Sequence, residues 1–403
     1  MAAKTILNHQ WRQVVRTLNL IPRLIIFTFI RTTLNTAHRM VYPFLTAFAR
    51  GLGVDLTLLS YVMTARAVVG TFGPLAATLA DRRGRKFGIL LGLGLFSLGA
   101  ALVVAWPTFP VFAAALLVIT LGKYIFDISL VSWLGDRVPY ERRGRVLAVT
   151  EFGWSLAFIL GVPLVGFLIA RQGWNSPFLL FACLGVLAFI TLMMLIPKDA
   201  ASFNADPKAP GNHSLFSILR SPAILPILSV LSLGLFSSAA NETVNLLFGV
   251  WLEDAFGLQI AALGAASAVI GLSELGGEGL VAAFVDKLGK PRAVALGLAV
   301  NSLAALALPL VGRSEAGALT GLFFFYISFE FTIVSSIPLM TEILPSARAT
   351  VLALNVSGLS LGRALGALAG PQLYALGFGA VTAGAVVFNL LALLVLWRMK
   401  RSH

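Results

Sequence analysis

The sequence is poor in cysteine, in histidine and in charge. Cys183 is the only cysteine among the 403 residues, so the chain has no internal disulfide and no cysteine metal cluster. Of the four histidines, only His38 lies inside an apolar run. Charged residues make up 12% of the chain, about half the share in a typical soluble domain. These shortages argue against a disulfide-stabilised fold, a soluble domain and a metal enzyme, and we expect neither enzyme activity nor a cofactor.

Apolar residues dominate instead. They make up 58% of the chain, and the mean hydropathy is +0.90. These values indicate an all-α protein with many membrane spans, whose first partner is the lipid bilayer. The net charge of +13 raises the alternative of nucleic-acid binding. We expect no nucleic-acid partner, because the bases lie in short loops between apolar runs, without zinc spacing or a helix-turn-helix context.

Apolar runs of membrane-spanning length, divided at charges and at Gly or Pro turns, predict twelve helices. The predicted helices 1 to 12 cover 22–48, 56–80, 87–106, 110–135, 146–170, 176–196, 222–250, 258–285, 292–312, 316–341, 350–374 and 378–397. The polar stretch 197–221 reads as a linker, which divides the chain into two bundles of six helices. The predicted units are 1–19, 20–196, 197–221, 222–397 and the tail 398–403.

The loops on the two sides of the predicted helices differ strongly in Lys and Arg. Arg50, Arg171 and Arg313 are the three loop bases on one side, and the others lie on the side of the two chain ends. The positive-inside rule therefore predicts cytoplasmic termini and a multi-pass protein of the cytoplasmic (inner) membrane. Residues 1–19 fit an interfacial amphipathic helix, with a partly disordered tail as the alternative.

A short basic loop between predicted helices 2 and 3 is repeated later in the chain. Shifting the sequence by 205 positions sets Asp81-Arg82-Arg83-Gly84-Arg85 on Asp286-Lys287-Leu288-Gly289-Lys290. The same shift sets Arg143-Gly144-Arg145-Val146-Leu147-Ala148 on Arg348-Ala349-Thr350-Val351-Leu352-Ala353. Two independent matches at one offset indicate an internal duplication of about six helices.

The loop Asp81-Arg82-Arg83-Gly84-Arg85-Lys86 resembles the signature between helices 2 and 3 of the major facilitator superfamily of transporters, with Ala77 where that pattern has Gly. The resemblance implies two pseudo-symmetric six-helix bundles, with the substrate site between them near mid-membrane. It also implies a gating role for the two loops. The expected gating residues are Asp81, Arg82, Gly84, Arg85, Asp286 and Gly289.

Residues Ala157 to Gly166 on predicted helix 5 partly resemble the antiporter signature of the exporters in that family. Val162 and Phe167 stand where the signature has Gly, so the match is incomplete. The remaining small residues would let helices 5 and 8 pack closely and prevent leakage. The resemblance is to the drug/proton antiporter-like branch, and it favours export over import.

Charged residues inside the helices are expensive in hydrocarbon, so we expect them to face protein or a water-filled cavity. They fall on predicted helices 1, 2, 4, 5, 7, 8, 10 and 11, and none falls on 3, 6, 9 or 12. The bases are Arg31, Arg39, Arg66, Lys123 and Arg363, and the acids are Asp127, Glu151, Glu242, Glu274, Glu278 and Glu330. This distribution predicts a polar cavity at the centre of the bundle. The resemblance to the transporter family implies that the eight charged helices line this cavity or the interface of the two bundles, and that the other four lie outside.

Helices 1 and 7 carry polar clusters at equivalent positions of the repeat, which indicates a binding site at one depth. Structural hydrogen bonds between helices are the alternative. The predicted cavity residues are Arg31, Asn35, His38, Arg39, Tyr42, Arg66, Lys123, Asn241, Asn245 and Arg363. His38 titrates near neutral pH as a free side chain, but the adjacent Arg39 favours a neutral histidine.

The acids give the candidates for proton coupling, which are Asp127, Glu242, Glu274, Glu278 and Glu330. Each has a structural alternative. Lys123 could simply neutralise Asp127 four residues later, and Arg66 or Arg363 could hold Glu274 and Glu278. Glu278 could instead belong to the loop network around Asp286, and Glu330 could be a buried ion pair. Glu151 is expected to have a structural role near the helix N-terminus or the nearby arginines.

These features predict a proton-coupled secondary active transporter that moves an organic amphiphilic or charged molecule by alternating access, with export favoured. Its partners are the bilayer, protons and the organic substrate, which we expect to carry an anionic or zwitterionic group, and we expect a monomer. A proton-linked importer and an uncoupled facilitator are alternatives within this architecture. A channel and a membrane-embedded enzyme are alternatives of a different class.

Overall fold

The computed structural model describes residues 21–72, 83–197, 224–343 and 348–401. These residues form helices joined by short turns, without a strand, so the expected all-α fold is confirmed. The first half of the chain forms α1a (Ile21–Arg39), α1b (Leu45–Leu52), α2 (Leu56–Thr71), α3 (Arg85–Ala105), α4 (Phe109–Arg137), α5a (Tyr140–Leu156), a π-helix (Ala157–Gly161), α5b (Val162–Gln172) and α6 (Ser176–Leu195).

The second half forms a similar series. Its helices are α7a (Ile224–Asn245), α7b (Phe248–Phe256), α8a (Ile260–Ala266), α8b (Ala268–Leu288), α9 (Lys290–Val311), α10 (Glu315–Ile343), α11 (Arg348–Tyr374) and α12 (Phe378–Arg401). We call α1a to α6 the N-half and α7a to α12 the C-half. The amphipathic segment predicted at 1–19, Asp81 and Arg82, and most of the predicted linker at 197–221 lie outside the described residues.

Helices 1, 5, 7 and 8 were predicted to be continuous, but each of them is interrupted. In helix 1 the break precedes α1b and contains Pro43, which has no N–H to donate and whose ring clashes with a continuing helix. In helix 5, Pro163 follows the π-helix. Because Pro163 has no backbone N–H, it cannot donate the α-helical hydrogen bond to the preceding turn, and that turn takes the wider π-helical hydrogen-bond pattern. In helix 7, the N–H of Leu247 donates to the carbonyl of Val244, three residues back.

Each half packs mainly within itself, and the two largest contact regions between the halves involve four helices. In one, α2 packs against α11; in the other, α5a, the π-helix and α5b pack against α8a and α8b. Close approach in the second region depends on glycine, because a methyl group at Gly271 would lie 2.7 Å from the carbonyl oxygen of Ser155. Gly166 likewise faces Gly264, which confirms that small residues let helices 5 and 8 pack.

The internal repeat is visible in the backbone. Gly84 immediately precedes α3 with φ 94°, and Gly289 immediately precedes α9, 205 positions later, with φ 79°. Both conformations are open to glycine and strained for other residues. Gly53 and Gly257 form a second pair, which ends α1b and α7b with φ 67° and 65°. The duplication predicted from two loop motifs therefore extends to the turns.

By length and composition, ten described helical stretches could cross a membrane, or up to eleven if the bent pair α1b and α2 is one span. The polar segment α1a is not among them. The exact number of twelve therefore stays a prediction. Exposed apolar residues cover the outer helices, as Met194 on α6 and Leu303 on α9 show with 81% and 65% of their surface accessible. These surfaces suit contact with lipid.

Candidate functional site

A cavity of about 540 Å³ lies between the two halves. Its wall comes from helices α1a, α5a, α7a, α8b, α10 and α11 and from the break after α1a, and no residue of α3, α6, α9 or α12 contributes to it. The polar and aromatic residues of the wall are His38, Arg39, Tyr42, Glu151, Phe152, Trp154, Asn241, Glu242, Asn245, Glu274, Glu278, Tyr326, Phe329, Glu330 and Arg363. The wall thus comes from six of the eight helices that carry charges in the sequence, and the charged helices α2 and α4 contribute no residue to it.

An ion pair inside this cavity joins the halves. Both terminal nitrogens of Arg39 in the N-half donate to Glu274 in the C-half, at 2.8 and 2.5 Å. Both side chains are buried, with 6% and 7% of their surface accessible. Arg39 also donates to the backbone carbonyl of Trp154 at 3.0 Å and lies over the Trp154 and Phe158 rings. The suggestion that Arg66 or Arg363 holds Glu274 was wrong, because Arg39 takes this place.

Two more carboxylates of the C-half face the same cavity without a base of their own. Within the described ranges, neither Glu278 nor Glu330 forms an ion pair. Glu330 is buried, and its Cβ would lie 2.7 Å from a methyl group placed at Gly277. The glycine therefore lets the α10 carboxylate lie close to α8b. The alternative that Glu330 is a buried ion pair is wrong for the described part of the chain.

Glu242 of α7a has polar rather than charged neighbours in direct contact. The Asn245 amide nitrogen lies 3.5 Å from Glu242 Oε2, and the Tyr326 hydroxyl donates to the Asn245 amide oxygen at 2.9 Å. Tyr42 of the N-half lines the cavity together with Glu242, so this acid also lies at the junction of the halves. Nearby, Asn241 Oδ1 and His38 Nδ1 are buried without a hydrogen-bond partner among the described residues. Unpartnered buried polar atoms are unusual in folded proteins, and both of these belong to side chains of the cavity wall.

Five predicted site residues do not line the cavity. Arg31, Lys123 and Asp127 form a network behind the wall, in which the Asp127 carboxylate accepts from Arg31 at 3.2 Å and from Lys123 at 2.6 Å. Arg31 also pairs with Glu151 at 2.7 Å. Arg66 turns away to donate to the backbone carbonyl of His38 at 2.8 Å. Asn35, the fifth, is buried, and neither end of its amide has a partner in the described structure.

The cavity extends toward the side of the basic loops and is closed at the other end. Its wall includes Ala148 near the start of α5a and Ile337 near the end of α10. At the far end, Glu253 of the C-half accepts hydrogen bonds from Thr46 and Arg50 of the N-half. A methyl group at Gly249 would lie 2.6 Å from the carbonyl oxygen of Pro43, so the halves touch there through backbone.

The repeated loops have the same kind of ion pair in both halves. Arg85, at the start of α3, pairs with Asp136 at the end of α4 at 3.2 Å. Lys290, at the start of α9, pairs with Glu342 at the end of α10. Gly84 and Gly289 lie in the turns that precede α3 and α9. Asp286 is exposed on the last turns of α8b.

Three aromatic residues of the wall, Trp154, Tyr326 and Phe329, were not among the predicted site residues. Trp154 lies three residues after Glu151, so helical spacing places it on the same face, and its indole N–H donates to Glu274 at 3.2 Å. Tyr326 lies four residues before Glu330, so it shares the α10 face with this acid in the same way. These spacings could have revealed Trp154 and Tyr326, whereas Phe329, next to Glu330, has no such signal.

Comparisons with known proteins agree with this architecture. The chain is 25% identical over 349 residues to the uncharacterized MFS-type transporter YwfA of Bacillus subtilis, covering 85% of this chain and 83% of that protein. It is 27% identical over 214 residues to the quinolone resistance protein NorA of Staphylococcus aureus, covering 52% and 54% of the two chains.

Among solved structures, a bacterial homolog of the human lysosomal transporter Spinster, in an inward-facing and unoccupied conformation, superposes with a TM-score of 0.77. It is 17% identical, and the alignment covers 96% of this chain and 97% of that one, which shows a shared fold. The sequence profile of the Major Facilitator Superfamily matches residues 25–344. With its charged cavity between two related halves, this chain therefore belongs to the Major Facilitator Superfamily of membrane transporters.

Proposed function

We propose that the protein is a proton-coupled secondary active transporter that exports an organic amphiphilic molecule by alternating access. The observation that carries this proposal is the Arg39–Glu274 pair, which bridges the two halves inside the cavity. An ion pair at this place connects the charge of one carboxylate to the contact between the halves. A proton that reaches Glu274 removes the charge that holds Arg39, and it weakens one of the bonds that define this conformation.

We assign proton binding also to Glu278, Glu330 and Glu242. A carboxylate without a neutralising base can take up and release a proton as its access to water changes, and these three line the same cavity as Glu274. Protons and substrate then compete for one group of acids. Asp127 is not included, because Lys123 and Arg31 already neutralise it behind the wall.

The charges of the wall favour a substrate with a positive group. Glu242, Glu274, Glu278 and Glu330 outnumber Arg39 and Arg363 there, without counting Glu151, which pairs with Arg31. The other bases of the N-half are occupied by Asp127, Glu151 or a backbone carbonyl, which is why we no longer favour an anionic substrate. An aromatic cation or a zwitterion fits better, because Trp154, Tyr326 and Phe329 offer ring surface beside the carboxylates.

We place both termini on the cytoplasmic side of the inner membrane, since the loop bases lie on their side. The cavity then faces the cytoplasm and is closed by Glu253 toward the outside. An exporter loads its substrate in this conformation. The relative named as a quinolone resistance protein supports the direction, although it matches only about half of the chain.

The test uses purified full-length protein in liposomes, with ethidium as an aromatic cation and a pH-sensitive dye as the proton probe. We expect wild-type protein to exchange ethidium for protons, and Glu274→Gln to exchange ethidium for ethidium without proton movement. Glu315→Gln is the matched control, since Glu315 is an exposed acid at the start of α10. Unchanged proton movement in Glu274→Gln would remove Glu274 from the coupling mechanism. Ethidium flux without proton flux in the wild type would indicate an uncoupled facilitator.

A further inference from the structure

A second hollow, of about 640 Å³, opens on the outer surface of the N-half between α1a, α5a with the π-helix and α5b, and α6. We call it the lateral groove. Its walls include Ile25, Phe29 and Leu160, whose side chains are largely exposed and apolar. Its volume is that of a site for a drug-sized molecule. Because these surfaces belong to membrane helices, the groove faces the acyl chains of the bilayer.

Threonines are the polar residues in the wall of this groove, and each described hydroxyl there has its proton engaged. Thr32 donates to the carbonyl of Thr28 at 2.8 Å, Thr36 to Thr32 at 2.7 Å and Thr33 to Phe29 at 3.1 Å. Thr28 donates to the carbonyl of Val149 on α5a at 3.2 Å. The groove therefore offers hydrocarbon contact without a free donor. It suits an alkyl chain or an apolar ring, and it lacks the polar contacts that a phospholipid head group needs.

Phe152 belongs to the wall of both hollows. It lines the lateral groove on one side and the central cavity on the other, and the next residue back, Glu151, faces the cavity. The Phe152 side chain is 47% accessible, so it is not fixed in a packed core. Exposed side chains change rotamer within nanoseconds. Elsewhere α1a and α5a pack closely, since a methyl group at Gly153 would lie 3.1 Å from the carbonyl oxygen of Thr28. Phe152 is thus the side chain that the walls of the two hollows share.

We propose that the lateral groove is an access site through which the apolar part of the substrate passes from the bilayer to the central cavity, with Phe152 as the gate. The proposal rests on the proposed function, since it requires an amphiphilic substrate. The occupant is the transported molecule itself: its tail lies in the groove while its polar end moves past Phe152 to the carboxylates. The route runs past the Phe152 side chain, because the contact between α1a and α5a closes the path beside it.

The first experiment reads occupancy without transport. The protein in liposomes is irradiated with hexadecyltrimethylammonium that carries a diazirine on its chain, and labelled residues are mapped by mass spectrometry. We expect labelling on α1a and α5 to exceed that on the lipid-facing surface of α9 near Leu303 several-fold. Thr32→Trp, which fills the groove, should abolish this excess. Thr320→Trp is the matched control, because Thr320 makes the same hydrogen bond to the carbonyl four residues back on the exposed side of α10.

Equal labelling of the groove and of α9 would overturn the proposal, because the groove would then hold bulk lipid like any other surface. An excess that survives Thr32→Trp would overturn it as well. Both results are independent of transport, so they are distinguishable from a failure of the proposed function, which would show as absent proton-linked flux with selective labelling intact.

The second experiment tests the gate. Phe152→Trp should slow the transport of hexadecyltrimethylammonium several-fold relative to that of tetramethylammonium, which has no chain to pass the gate. Phe324→Trp is the control, since Phe324 is a similarly exposed phenylalanine on α10 with 55% of its surface accessible. Equal slowing of both cations by Phe152→Trp, or a chain-length effect in Phe324→Trp, would contradict a gate at this residue.

Discussion

Arg39 illustrates how one charged side chain is kept inside a membrane protein. A lone guanidinium in hydrocarbon is strongly unfavourable, yet Arg39 is buried with a carboxylate, a backbone carbonyl and two aromatic rings around it. The pair with Glu274 satisfies both charges at once. Its geometry uses both terminal nitrogens and both carboxylate oxygens, which a lysine in this place could not reproduce.

A double-mutant cycle tests whether this pair is one energetic unit. Arg39→Ala should destabilise the protein by about 3–5 kcal/mol, because it leaves Glu274 buried without its partner. Adding Glu274→Gln should restore part of that loss, since the uncompensated charge is then gone. Thermal unfolding in detergent measures the two single variants and the double variant. Strictly additive effects of the two substitutions would mean that the pair does not interact in the folded protein.

Asp127 gives the contrasting case. Its neutralisation by Lys123 and Arg31 makes it a structural residue, so Asp127→Asn should lower the thermal stability while the ratio of protons to substrate stays as in the wild type. The comparison is with Glu274→Gln, measured in the same liposomes. Loss of coupling in Asp127→Asn without loss of stability would return Asp127 to the proton pathway.

At the scale of helices, the two ends of the molecule are built differently. Near the basic loops the halves part around the cavity, and at the far end backbone meets backbone at Pro43 and Gly249. The break between α1a and α1b, and that between α7a and α7b, lie beside this contact. Pro43 is a sequence signal for the first break. No proline marks the second, and a continuous apolar pattern gives no signal for a single tight turn.

Gly249→Ala tests the contact at the closed end. The added methyl group would lie 2.6 Å from the Pro43 carbonyl oxygen, so the halves could not close fully there. We expect the variant to fold and to transport several-fold more slowly than the wild type. Gly379→Ala is the matched control, because nothing lies within 4 Å of a methyl group at that position. Equal rates in the two variants would show that this contact does not limit the cycle.

Much of the element-level architecture was predictable, and the pairing between elements was not. Gly84 and Gly289 belong to the repeated loop motif, which predicted that the two turns are alike, and both glycines have positive φ. The partner of Glu274 could not be read in the same way, because Arg39 lies 235 positions away. Helical spacing tells which residues share a face, but the depth at which two faces meet depends on packing across the whole bundle.

For the molecule as a whole, the number of charges on each helix was the informative quantity. Helices 3, 6, 9 and 12 carry charges only at the end near the basic loops or none at all, and none of them lines the cavity. The reason is the cost of charge in lipid, which acts on every residue alike and so leaves a pattern in the sequence. Which charges would line the wall, as Arg363 does, and which would lie behind it, as Arg31 does, depended on ion pairs between helices.

The central claim is that the two halves move against each other around the charged cavity and that the charge of Glu274 biases this motion. Pulsed electron paramagnetic resonance tests it with two spin-label pairs in a Cys183→Ala background. One pair, at Arg145 and Lys287, spans the halves near the basic loops, and the other, at Gln172 and Gln259, spans them at the closed end.

We predict that Glu274→Gln, compared with the parent protein at the same pH, shortens the first distance and lengthens the second, because the bond that holds this conformation is lost. Glu315→Gln should change neither distance. If both distances in Glu274→Gln stay as in the parent protein, or if both change in the same direction, the halves do not alternate in the way described and the central claim is contradicted.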